Sequence, residues 1–127
     1  MQGVPKRVPP LFFLLTTFYL FHFLAIMAEL TDYQRTVILY CREFINELRQ
    51  RDFISMDHDT YDAILLLMLD RGEFGPGMFR EVEQYLNDLS GQLLMAYSRE
   101  PQNTRLDSLY RRAGSLRDMV AGVLNGV

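Results

Sequence analysis

The chain has 127 residues, 49% of them apolar, one cysteine and a formal charge of −3. That length fits one small domain and is too apolar for disorder, while the lone Cys41 excludes an internal disulfide framework and a cysteine-built zinc site. The acidic balance excludes nucleic-acid binding through a general basic surface. Lys6 is the one lysine, and every later cation is arginine, which suits bidentate pairing with carboxylates at interfaces. Coding bias in a GC-rich genome accounts for the arginines equally well.

Lys6 and Arg7 stand among prolines, and Leu11 to Ala28 form an almost unbroken apolar run. Three readings stay open for residues 1–28. The run is near the lower length limit of a membrane span. With a basic flank before it and Glu29 and Asp32 after it, an anchor would place the rest outside the cytoplasm. Cleavage after Ala28 would make it a secretory signal, although Ile26 and Ala28 fit the small-x-small rule loosely. Met27-Ala28-Glu29-Leu30 also resembles a protein start just ahead of a helix cap, which would make residues 1–26 an over-extended reading of the gene. The remainder has no Asn-x-Ser/Thr sequon and no cysteine pair, which favours the cytosol. Residues 29–127 are expected to form the single folded domain.

Thr31-Asp32-Tyr33-Gln34 is a capping box, and Asp32 complements the helix dipole. Tyr33, Val37, Ile38, Cys41, Phe44, Ile45 and Leu48 follow at spacings of three and four, predicting an amphipathic helix over 31–51. Glu47 precedes Arg51 by four and supports it. Asp52 to Asp59 is a polar corner anchored by Phe53 and Ile54, with Ser55 or Asp57 as the cap of a helix over 57–71. The second half of that helix, Ile64 to Leu69, is apolar all round, which predicts the central, most buried helix; Gly72 ends it. Gly75-Pro76-Gly77 breaks the chain, and a stripe from Met78 to Leu89 follows, with Ser90-Gly91 a place to end or bend. Leu93 to Tyr97 continue to about Arg99. Thr104 is the expected cap of a last helix, weakened by Gly114 and Gly122. With no alternating stretch that reads as a strand, the expectation is an all-α antiparallel bundle of four to six helices.

Asp57, His58, Asp59 and Asp62 form the cluster nearest to a metal or acid–base site. Tyr61 stands where a calcium loop needs an oxygen and no glycine follows, so a solvated acidic helix start is the better account. No nucleophile–base set, cofactor motif or phosphate loop is legible, and no catalytic role, cofactor or metal is assigned. Charge is more informative. The first helix is basic through Arg35, Arg42, Arg49 and Arg51, whereas Asp52 to Glu100 hold ten acids against three arginines. Such a bundle is able to bind copies of itself or relatives head to tail, with those four arginines and Asp57, Asp59 and Asp62 as the candidate interaction surface.

The run from Ile45 to Ile64, INELRQRDFISMDHDTYDAI, resembles the helix–corner–helix region of caspase recruitment domains. The run from Tyr61 to Leu89, an apolar helix, a charged-glycine turn and a leucine-rich helix, is similar to death-effector domains, though their Arg-x-Asp-Leu signature is absent near Ser90-Gly91-Gln92-Leu93. Both families belong to the six-helix death-fold superfamily. The resemblance implies a cytoplasmic, non-catalytic homotypic module whose partners are other death-fold domains, in an adaptor or a caspase prodomain, with self-association as a further option. A domain of this kind without an attached effector looks like a decoy or regulator of apoptotic or inflammatory assembly, as small viral domain-only proteins do. A membrane contact is implied only if residues 11–28 remain in the mature protein. The alternatives are a membrane-anchored helical protein and a Bcl-2-like regulator, whose groove motif is not visible.

Overall fold

The computed structural model describes residues 28–50 and 56–126. Helix α1 (Asp32–Leu48) begins where Thr31 satisfies an otherwise unpaired amide: Gln34 N donates to the Thr31 hydroxyl and Thr31 N donates back to Gln34 Oε1. Its buried face is Val37, Ile38, Cys41, Phe44, Ile45 and Leu48, the expected stripe without Tyr33, which is exposed. Helix α2 (His58–Arg71) is capped by Asp57, which accepts from the Thr60 amide. It stops at Gly72, whose φ of +67° is left-handed backbone that a side chain disfavours.

Two short strands then close a ring that periodicity had not revealed. Strand β1 (Ala28–Glu29) pairs antiparallel with β2 (Glu73–Phe74), Ala28 opposite Phe74 and Glu29 opposite Glu73. Leu30 N also donates to the Gly72 carbonyl, so the start of α1 is tied to the end of α2. Two-residue strands are too short to leave an alternating pattern, which is why none was legible.

Helix α3 (Pro76–Arg99) has proline in its first turn, where the missing N–H costs nothing. It runs unbroken through Ser90-Gly91, because Ser90 is buried in the helix interface and Gly91 keeps helical backbone. Helix α4 (Thr104–Asn125) is capped by Asn103 rather than Thr104: the Asn103 side chain accepts from the amides of Arg105 and Leu106. Gly114 and Gly122 sit within it without ending it. Among the described residues, helices α3 and α4 make the most extensive helix pair.

The described residues thus form an all-α bundle of four helices with one two-stranded clip. The superfamily resemblance implies six; the long uninterrupted α3 and α4 account for half of the observed four. Phe44, Phe74, Phe79, Leu86 and Leu89 lie in one core shared by the four helices and the clip. The expectation that α2 is the most buried helix is corrected. Only His58, Leu65 and Met68 of α2 are buried, and Leu66 is 39% exposed. Helix α2 lies at the margin of the core, and its all-round apolar character exceeds what one buried face can take. Phe53, Ile54 and Ser55 lie outside the described residues, as does the apolar run before Ala28.

Candidate interaction surface

The polar edges of α1 and α2 meet through side chains that the charge pattern had assigned to an external surface. Arg42 grips Asp62 in a fork, Nε to Oδ1 at 2.8 Å and Nη2 to Oδ2 at 3.2 Å. The Asp62 side chain keeps 13% of its exposure, and the Arg42 fork holds its carboxyl below the usual carboxylate range. Arg49 Nη2 reaches Asp59 Oδ1 at 2.9 Å and Asp62 Oδ2 at 3.5 Å, while its Nη1 donates to Asn46 Oδ1. The third acid of the cluster, Asp57, serves as the cap of α2, and its hydrogen bonds from Thr60 lower its pKa.

Five of the seven expected surface residues are therefore engaged within the chain. Bidentate pairing is what arginine does best, and here it clamps α1 to α2. Arg51 lies outside the described residues. Arg35 is exposed and forms no ion pair among the described residues. Three large side chains of α1 also face solvent, Tyr33 at 56%, Leu39 at 48% and Tyr40 at 49% exposure, and of these Leu39 lies one turn from Arg35. Tyr33, Thr36 and Tyr40 follow one ridge of α1, and Arg35 and Leu39 form the next, four residues apart. Periodicity had placed Tyr33 on the core stripe; Leu39 and Tyr40, apolar yet off that stripe, were the signal for this face.

His58 is the other residue whose expected setting is corrected. It is buried at the first turn of α2, not solvated. Its Nδ1 shares a hydrogen bond with the Tyr85 hydroxyl of α3, and its ring meets the Tyr85 ring edge-on. Tyr61 stacks on Tyr85 with ring centres 4.4 Å apart. Burial, and after it the Arg49 charge, lowers the His58 pKa. Nε2 has no hydrogen-bond partner among the described residues. Capping and the helix dipole explained the acids around His58 but gave no sign that Tyr85 of α3 would meet its ring.

Cys41 is wholly buried in the stripe of α1, and burial pushes its thiol up to about 12, so it is no nucleophile at neutral pH. Among the described residues no group of three or more His, Cys, Asp or Glu side chains is placed to hold a metal ion, and no helix is long and apolar enough to cross a membrane. Comparison with protein-family models, with curated proteins and with solved structures finds no match.

Proposed function

We infer that the protein is a non-catalytic interaction module of the cytosol and that the outer face of α1 is what it presents to a partner. The observation that carries this is the exposure along α1 of Tyr33, Leu39 and Tyr40, each about half exposed, together with Arg35, which lies one turn from Leu39 and has no ion pair among the described residues. Tyrosine and arginine are the residue types that supply most binding energy at protein interfaces, because each offers large contact area with a polar end. The partner class is other death-fold domains, as the resemblance of residues 45–64 and 61–89 suggests, with a regulatory or decoy role in apoptotic or inflammatory signalling assembly. Arg42 and Arg49 already pair with Asp62 and Asp59 within the chain, which supports a contact built on Arg35 and the exposed apolar side chains of α1.

The test is binding of the full chain to a panel of isolated caspase recruitment and death-effector domains, wild type beside Arg35→Glu and Tyr40→Ala. Both variants are expected to keep the helical circular-dichroism signal and to lose binding by about tenfold or more, the loss of one interface hot spot. Arg42→Glu is unsuited to this test, because it sets a second carboxylate against Asp62 and disturbs the fold. Full binding by both surface variants, or no binding by any panel member, refutes the assignment.

A further inference from the structure

Two turns along α1 from Tyr40, an open cavity of about 440 Å³ lies between α1 and the first half of α4, lined by Glu47, Thr104, Arg105, Ser108, Leu109 and Arg112. The helical repeat brings the α4 members together: Thr104, Ser108 and Arg112 recur every four residues, as do Arg105 and Leu109. Arg112 Nη1 donates to Glu47 Oε1 at 2.7 Å, and Arg105 Nη2 donates to Glu47 Oε2 at 3.4 Å. Each guanidinium thus spends one donor on a single shared carboxylate and keeps the rest of its fork. Two cations against one anion leave the site net positive. The Arg112 guanidinium also lies 4.7 Å from the centre of the buried Phe44 ring, which fixes its position before any ligand arrives. Helix capping does not account for the group, since the Arg105 and Leu106 amides are taken by Asn103 and Arg111 is taken by Asp107.

We propose that this cavity binds a phosphate monoester, held between Arg105 and Arg112 with the Thr104 and Ser108 hydroxyls as further donors, and that Glu47 is the built-in anion it displaces. A phosphate dianion neutralises both arginines once Glu47 leaves, which a carboxylate does not, and its three oxygens match the donors available. The volume exceeds a phosphate group, and the open side of the site leaves room for the group that bears it. Phosphate binding is read without a partner protein, so its failure and that of the interaction assignment are separable.

The test is calorimetric titration of the full chain with inorganic phosphate, O-phosphoserine, a phosphoserine peptide and, for comparison, glutamate. Saturable binding of the phosphate compounds is expected, with glutamate about tenfold weaker or more. Arg105→Ala, whose side chain is 57% exposed and so not needed for folding, should weaken phosphate binding about tenfold. Glu47→Gln should strengthen it several-fold by removing the competing anion. Tighter binding of the peptide than of O-phosphoserine assigns the ligand to a phosphorylated protein, and equal binding assigns it to a small phosphorylated molecule. Absence of saturable binding, equal affinity for glutamate, or affinity unmoved by both substitutions overturns the proposal.

Discussion

Removing the Asp62 carboxylate should uncouple α1 from α2. Asp62→Ala deletes two hydrogen bonds from Arg42, at 2.8 and 3.2 Å, and the longer contact from Arg49. A hydrogen bond to a charged group contributes about 1.5–3 kcal/mol when its partner is left unsatisfied. The Arg42 side chain, 26% exposed, recovers some hydration when Asp62 is gone, so the two bonds together should be worth about 2 kcal/mol rather than their sum. Asp62→Asn, which can still accept one bond, should lose about half as much. Urea unfolding followed by far-ultraviolet circular dichroism measures this as a lower midpoint at unchanged slope. Arg35→Ala is the control and should stay within about 0.5 kcal/mol of wild type, as a surface change does. An Asp62→Ala midpoint indistinguishable from that control would show that the Arg42–Asp62 fork does not hold the helices together.

The same carboxyl makes stability acid-sensitive. Its folded pKa lies below the ordinary 3.8, so its contribution is complete above that value and is lost as pH falls through the lowered one; Asp62→Asn should flatten the acid limb of the stability–pH curve. His58 acts in the same direction from a higher pH. Its pKa is lowered from 6.5, so the stability it gives the neutral form is complete above 6.5 and declines as pH drops below, a decline that His58→Gln should remove. Gly72→Ala should cost about 1 kcal/mol through the left-handed backbone alone, since an added Cβ meets nothing within 4 Å, whereas Gly91→Ala in the interior of α3 should stabilise by about 0.5–1 kcal/mol. Cys41 should resist a thiol-specific reagent in the native protein and react on unfolding, and rapid native labelling would contradict its burial.

Helices were legible because caps and stripes are local. Thr31 with Gln34, Asp57, Gly72 and Pro76 all act within a turn of themselves, and each works where its residue type directs. What was not legible depended on what lies opposite. Asn103 displaced Thr104 as a cap one position earlier, and both residue types are good caps. The apolar run Ile64–Leu69 could not say how much of itself would be covered, because that depends on α1 and α3 rather than on α2. His58 carries no sign in its neighbours of the Tyr85 hydroxyl contributed by a helix 27 residues away. The candidate surface shows the same limit. Arg35, Arg42 and Arg49 share one seven-residue rhythm along α1. Only the position of the α2 acids Asp59 and Asp62 separates Arg42 and Arg49, which pair with them, from Arg35, which has no ion pair among the described residues.

That separation is also what the functional account stands on, and amide chemical-shift mapping reaches it directly. The isotope-labelled full chain is titrated with whichever death-fold domain of the panel binds it most tightly. The account predicts shift changes concentrated on Tyr33, Arg35, Leu39 and Tyr40, with Arg42, Arg49 and Asp62 changing little. Changes centred instead on α3, or on the Arg42–Asp62 edge with the clamp opened, would contradict it.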